Sequence, residues 1–188
     1  MGKLTYGMGV SVDGYVADAK GDIGFADPDE ELHQYWNDRA REVAVSLYGR
    51  KLYELMSAYW PTADQAPDAP AVEAEFARLW RAMPKVVFSK TLEEVGWNSR
   101  LERGDVVEVA RRIKAETDGL IEVGGATLAA PLIRAGLVDE FQVAVSPAAV
   151  GGGTPFLPAL DRWIRLDLVE NRTFPSGTVL LRYAPRPS

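Results

Sequence analysis

The 188-residue sequence has no cysteine and a single histidine, His33. The first absence removes disulfides, thiolate metal sites and cysteine nucleophiles together. With one histidine no histidine-based cluster can form either, so no metal centre is expected. Long apolar runs are missing: none reaches the roughly 20 residues a membrane-spanning helix needs. The opening Met1-Gly2-Lys3-Leu4 lacks the apolar stretch of a secretory leader, and the reading is a cytoplasmic, unprocessed chain with no membrane partner. Positive charge is scarce, 21 Lys and Arg against 27 Asp and Glu, for a net charge of −6. A nucleic-acid binder needs a basic face to neutralise phosphates, so that class is set aside. An acidic chain can still hold an anionic cofactor where its few cations and backbone amides converge.

What is present suits a globular protein, with 47% hydrophobic and 26% charged residues. The length fits a single domain over residues 1–188, with a real core and no repeats. Lys3 to Val12 reads as a first strand, broken by Asp13-Gly14. Asp27-Pro28-Asp29-Glu30 predicts a helix start, with Asp27 as N-cap, Pro28 at the first helical position and Glu30 closing a capping box. That helix should run to Arg41 or Glu42. Val43 to Tyr48 reads as a buried strand, followed by a brief helix from Gly49-Arg50 through Met56. Pro61 to Pro70, with three prolines, reads as an exposed loop. Further helices are expected over Ala71–Ala82, Asp105–Thr117 and from Gly124-Gly125 to near Gly136, its C′ residue. Strands are expected at Lys85–Ser89, Leu120–Val123 and Phe141–Ser146, with a terminal hairpin of Leu166–Thr173 and Thr178–Tyr183. Strand and helix alternate until Phe141, after which strands dominate. This order predicts an α/β fold: a mixed, mostly parallel sheet, helices on both faces and an antiparallel C-terminal hairpin.

Three strands run into turns that suit phosphate. A glycine turn that opens a helix aims unpaired N–H groups and the positive helix end at one spot. Gly49-Arg50 is one such turn, and Arg50 adds a guanidinium able to grip phosphate bidentately. Gly124-Gly125 is the second. Ser89-Lys90-Thr91 follows a third strand, offering two hydroxyls and an ammonium to a further phosphate. Each alone is also an ordinary turn or a solvated charge. Gly7-Met8-Gly9 lies within the first strand and opens no helix, so a standard dinucleotide-binding glycine motif is absent.

Taken in order, Ser11 to Ala17, Gly49-Arg50-Lys51-Leu52-Tyr53-Glu54, Val87 to Leu92, Val123-Gly124-Gly125-Ala126-Thr127-Leu128, Leu137 to Glu140 and Pro147 to Phe156 resemble the successive motifs of the dihydrofolate-reductase-like superfamily. They are closer to the reductase domain of the bifunctional riboflavin-biosynthesis deaminase-reductase and to its stand-alone relatives. The resemblance implies NADPH lying across the strand ends. Gly9 and Val16 would then border the nicotinamide, and Arg50, Lys51 and Leu52 the phosphates and ribose. Ser89 and Lys90 would recognise the 2′-phosphate, and Gly124 to Leu128 would hold the pyrophosphate. It also implies hydride transfer to a pyrimidine- or pteridine-like ring, and a homodimer.

The sequence departs from the family in two places. The residue before the double glycine, usually acidic in the riboflavin-type domain, is Val123, with Glu122 one position earlier and expected on the opposite sheet face. By this reading a carboxylate is missing from the site, and turnover of a phosphorylated ribosylaminopyrimidine should be poor. Where dihydrofolate reductases place a substrate-anchoring carboxylate on the first helix, the spacing lands near His33. Asp13, ending the first strand beside the expected nicotinamide, is a candidate carboxylate or an Asx-turn residue. His33 is a candidate proton donor or a solvated helix histidine. Thr154 resembles a threonine that supports the active site, or is a turn residue. The aromatics Tyr35, Trp36, Tyr53, Tyr59 and Trp60 could stack on a planar ring or pack the core.

Overall fold

The computed structural model describes residues 1–186. Eight strands form one sheet in the order β5-β4-β3-β6-β1-β7-β10-β9. In sequence these are β1 (Lys3–Ser11), β3 (Val43–Gly49), β4 (Lys85–Phe88), β5 (Ser99–Glu102), β6 (Leu120–Gly124), β7 (Glu140–Ser146), β9 (Leu166–Thr173) and β10 (Val179–Pro185). The six strands from β5 to β7 are parallel, and β10 and β9 close the edge antiparallel. A two-stranded sheet pairs β2 (Tyr15–Asp18) with β8 (Gly153–Pro155).

Strand β1 shows how the two faces divide. Its Leu4, Tyr6 and Val10 enter the main core with Leu47, Ile121 and Val123. Helices α4 (Val106–Glu116) and α5 (Ala126–Arg134) cover that face through Ala110, Ile113, Ala129 and Leu132. The opposite face lies under α1 (Glu30–Glu42), whose Leu32 packs with Ala144, Phe174 and Leu180. Helices α2 (Arg50–Tyr59) and α3 (Ala71–Ala82) enclose Tyr48, Tyr53, Trp80 and Val87. Alternation along each strand produces this division, since successive side chains leave a strand on opposite sides.

Beneath α1 the sheet is polar. Thr5, Ser46, Glu140 and Gln142 are all buried. Glu140 is satisfied by Arg182 at 2.9 Å, Lys3 at 2.5 Å and Arg39 at 3.5 Å. Such a charge belongs inside only with its partners, because an unpaired buried carboxylate is costly.

Several local expectations need correction. The α1 N-cap is Asp29, not Asp27: Asp29 Oδ1 accepts from Leu32 N–H at 2.8 Å. Asp27 instead ends a short 3-10 turn, Gly24–Ala26, donating its N–H to Gly24 O. The helix after Gly49 runs to Tyr59, beyond Met56. Residues 61–70 are not simply an exposed loop, because a 3-10 helix spans Trp60–Gln65 and Pro61 is buried. Pro61 is the second residue of that helix, inside its first turn, where a missing N–H costs no hydrogen bond, so the segment coils despite its composition. Strands β2, β5 and β8 have 4, 4 and 3 residues, too few to display alternation. The Gly136 expectation fits the geometry: φ is 66°, and its N–H and that of Leu137 close on Ile133 O and Leu132 O.

Candidate functional site

The carboxyl ends of β3, β4, β5 and β6 surround a cavity of about 580 Å³. Eleven of the fourteen residues assigned to cofactor binding line it: Gly49, Arg50, Lys51, Leu52, Ser89, Lys90, Gly124, Gly125, Ala126, Thr127 and Leu128. Parallel strands bring this about, because all four turns leave the sheet on one edge. Gly125 has φ 93°, a conformation that favours glycine, and α5 begins at the next residue. A Cβ on Gly124 would lie 2.4 Å from Leu52 Cδ2 and 2.9 Å from the Tyr48 ring, so bare backbone is required there.

The turns are bonded to one another. Arg50 Nη1 donates to Thr91 Oγ1 at 3.2 Å, which joins Thr91 to the cavity rim although it does not line it. Ser89 Oγ accepts from the N–H groups of Thr91 at 3.2 Å and Leu92 at 3.0 Å. The strand that sequence reading missed, β5, adds Glu102, Arg103 and Gly104 to the wall. Gly104 and the Asp105 helix cap follow that strand end, but its own residues Ser99–Glu102 are mostly charged or polar and too few to show alternation. The N–H of Gly104 and then that of Arg103 hold the Glu102 carboxyl below its ordinary value, against its partial burial and helped by Arg112 and Arg100. Four cations, Arg50, Lys51, Lys90 and Arg103, thus face one carboxylate around a cavity in a protein of net charge −6. Apolar walls come from Leu52, Phe88, Val106 and Leu128.

The profile of the RibD C-terminal domain matches residues 2–180. The chain belongs to the RibD C-terminal domain family. Protein YyaP of Bacillus subtilis (strain 168) is 29% identical over 184 residues, 96% of this chain and 94% of YyaP. Among solved structures, a putative riboflavin biosynthesis protein from Shewanella sp. PV-4 superposes with a TM-score of 0.77 at 18% identity, covering 98% of this chain and 99% of that one. The Thermotoga maritima deaminase/5-amino-6-(5-phosphoribosylamino)uracil reductase gives 0.68 at 14% identity, covering 98% of this chain and 57% of that one. A dihydrofolate reductase from Enterococcus faecalis, complexed with NADP(H), gives 0.64 at 13% identity, covering 98% and 97%. The RibD C-terminal fold is therefore of the dihydrofolate-reductase-like kind.

Other sequence-selected residues of this family member lie outside the cavity. Gly9 meets the 3-10 turn instead: a Cβ there would stand 2.9 Å from Ala26 Cβ. Val16 is buried in the main core. Asp13 is exposed, and its carboxylate accepts from the N–H groups of Val150 at 3.1 Å and Gly151 at 2.7 Å. The Ser11 hydroxyl, then these two amides, hold its carboxyl below the ordinary value. It clamps the loop before β8 and carries no proton at neutral pH. Thr154 is exposed on β8, opposite Ala17. His33 is half-buried on α1 with its ring edge-on to Trp60 and Phe76, at 5.9 and 6.0 Å between centroids. Its buried Nδ1 has no hydrogen-bond partner among the described residues.

Val123 and Glu122 do face opposite sides, as the alternation requires. Val123 is fully buried in the core with Leu4, Tyr6 and Leu47 and does not line the cavity, which corrects its assignment as the site of a missing carboxylate. Glu122 points under α1, where the Ser46 hydroxyl bonds it at 3.1 Å. Burial raises its carboxyl pKa, partly offset by Ser46 and by Arg39.

Proposed function

We propose that this protein is an NADPH-dependent reductase that passes hydride to a small heterocyclic substrate of the pyrimidine or pteridine kind. The supporting observation is the cavity itself: four cations and a bare glycine turn converge on one strand edge of an acidic chain. The residues fit a dinucleotide phosphate. Arg50 and Lys51 form the start of the first turn of α2, Gly124 and Gly125 open α5, and Ser89 with Lys90 follow the end of β4. In this reading the N–H groups of Gly125, Ala126 and Thr127 take the pyrophosphate, Ser89 and Lys90 take a 2′-phosphate, and Leu52, Phe88 and Leu128 exclude water from the rings. The bound nicotinamide supplies the hydride; the chain supplies orientation and charge. Asp13, tied to the loop and ionised, keeps that loop in place and does not donate the accompanying proton. His33, outside the cofactor cavity and with its Nδ1 unpartnered among the described residues, is the group we assign to substrate contact. The similarity to the Thermotoga 5-amino-6-(5-phosphoribosylamino)uracil reductase supports the same class of chemistry.

The test is NADPH oxidation against a panel containing a phosphorylated ribosylaminopyrimidine, a dihydropterin and simpler pyrimidines. Turnover of any of them supports the reductase reading, and the responding compound separates a riboflavin-type reductase from a dihydrofolate-reductase-like enzyme on another substrate. NADPH binding without turnover on every compound overturns it in favour of a non-catalytic nucleotide-binding protein.

A further inference from the structure

Arg103 enters the cavity from the end of β5 and turns back onto the neighbouring Ser89–Leu92 turn. Its Nη2 donates to Leu92 O at 2.6 Å and its Nη1 to Ser89 O at 3.4 Å. The backbone closes the same junction, Ser89 N–H donating to Glu102 O at 3.1 Å. Inside the turn the Ser89 hydroxyl oxygen accepts two amides and stands 3.5 Å from Thr91 Oγ1, so its lone pairs are committed and its proton can go to Thr91 or to a ligand. The turn is therefore fixed from both sides, its amides by Ser89 Oγ and its carbonyls by the Arg103 guanidinium. What it presents to the cavity is the Ser89 hydroxyl and the Lys90 ammonium.

Charge at this corner is unequally compensated. Glu102 is committed elsewhere: it accepts from the N–H groups of Arg103 at 3.0 Å and Gly104 at 3.1 Å, with Arg112 at 3.2 Å and Arg100 at 3.5 Å. Arg103 has no carboxylate within ion-pairing distance among the described residues. A guanidinium bonded only to carbonyls keeps its full charge for an anion, and of its five N–H donors it spends one on each carbonyl.

We propose that Arg103 is a positioning and specificity-determining residue. It holds the Ser89–Leu92 turn in shape and lends an uncompensated positive charge, so that the cavity selects a dinucleotide with an extra phosphate on its adenosine ribose. The inference rests on the cofactor reading given under Proposed function and adds the residue that sets its selectivity.

Tryptophan-fluorescence titrations of NADPH, NADH and adenosine 2′,5′-bisphosphate test it, on the native chain, Arg103→Gln and Arg103→Lys. In Arg103→Gln, NADPH and the bisphosphate should weaken about tenfold while NADH changes by less than about twofold. Arg103→Lys, which keeps the charge and loses the fork, should fall between Arg103→Gln and the native chain. A role in folding alone would move both dinucleotides together, and that result overturns the inference, as does an unchanged NADPH:NADH ratio. Failure of the native chain to bind either dinucleotide overturns the cofactor reading, and this inference with it. Thermal melts of both variants accompany the titrations, so that a loss of fold in one leaves the other to decide.

Discussion

Arg50 is exposed, and the bond it makes is to a hydroxyl, Thr91 Oγ1, not to a carboxylate. Nothing in the core depends on it. Arg50→Ala should therefore weaken NADPH about tenfold, the worth of one charge-assisted contact, and leave the melting temperature within about 1–2 °C of native. Isothermal titration together with a thermal melt checks both halves; equal NADPH affinity in the variant would show that the guanidinium faces solvent only. Glu122 is the opposite kind of residue, half-buried under α1 and, among the described residues, without a counter-ion in bonding range. Its folded carboxyl is raised above the ordinary 4.5 by burial. The folded chain then binds this proton more tightly than the unfolded chain does. Its favourable contribution is complete below about pH 4.5 and is lost as pH rises through the raised value. Glu122→Gln removes the titration while keeping a group that can bond Ser46. The variant should melt higher than native at pH 7–8 and equal to it near pH 4, by about 1–3 kcal/mol at most. Equal melting at both pH values would place the carboxylate in water.

At the scale of elements, α1 is held at its start by one carboxylate with two tasks. Asp29 Oδ1 caps Leu32 N–H, and its other oxygen accepts from Ser176 N–H in the β9–β10 turn at 2.7 Å. The bonds to Leu32 and then to Ser176 keep its carboxyl below the ordinary value, so it is charged at neutral pH, as a helix N-terminus favours. Asp29→Ala should cost about 1–2 kcal/mol in denaturant unfolding, and Asp27→Ala clearly less. The reverse order would restore Asp27 as the cap. The sequence pattern points to Asp27, since only that register closes a capping box on Glu30, whereas Asp29 has Leu32 at the corresponding position. Packing of the Gly24–Ala26 turn over Gly9 decides between them, because it draws Asp27 into the turn.

On the scale of the whole molecule, the sheet ends on β9, whose outer edge is uncovered. Leu168 and Val169 there are 53% and 52% exposed, and Trp163 on the preceding loop is 89% exposed. An uncovered edge strand that also exposes apolar side chains invites pairing with another chain. A symmetric dimer in solution is expected, at twice the 20.6 kDa chain mass. Light scattering at micromolar protein reads this directly, and a 20.6 kDa particle would overturn it.

The pattern of residues along the chain was enough to set the alternation of strands and helices, the parallel sheet with its antiparallel end, and the turns at Gly49, Ser89 and Gly124. These are local properties: periodic burial, capping residues and glycine's access to positive φ act within a few residues of chain. It also determined which way Glu122 and Val123 diverge, since alternation on a strand is a local rule. What each of those faces meets depends on how distant segments pack. Val123 sits in the apolar core and Glu122 in a polar layer with Ser46, a neighbour 76 residues away. The same holds for β5, which becomes a strand by pairing with β4 and only then delivers Arg103 to the cavity. Asp13 likewise resembles a catalytic carboxylate until the loop at Val150 and Gly151, 137 and 138 residues on, takes both of its oxygens. Burial, partner and charge state depend on contacts between distant segments, and no pattern in a short stretch of residues records which distant segment will arrive.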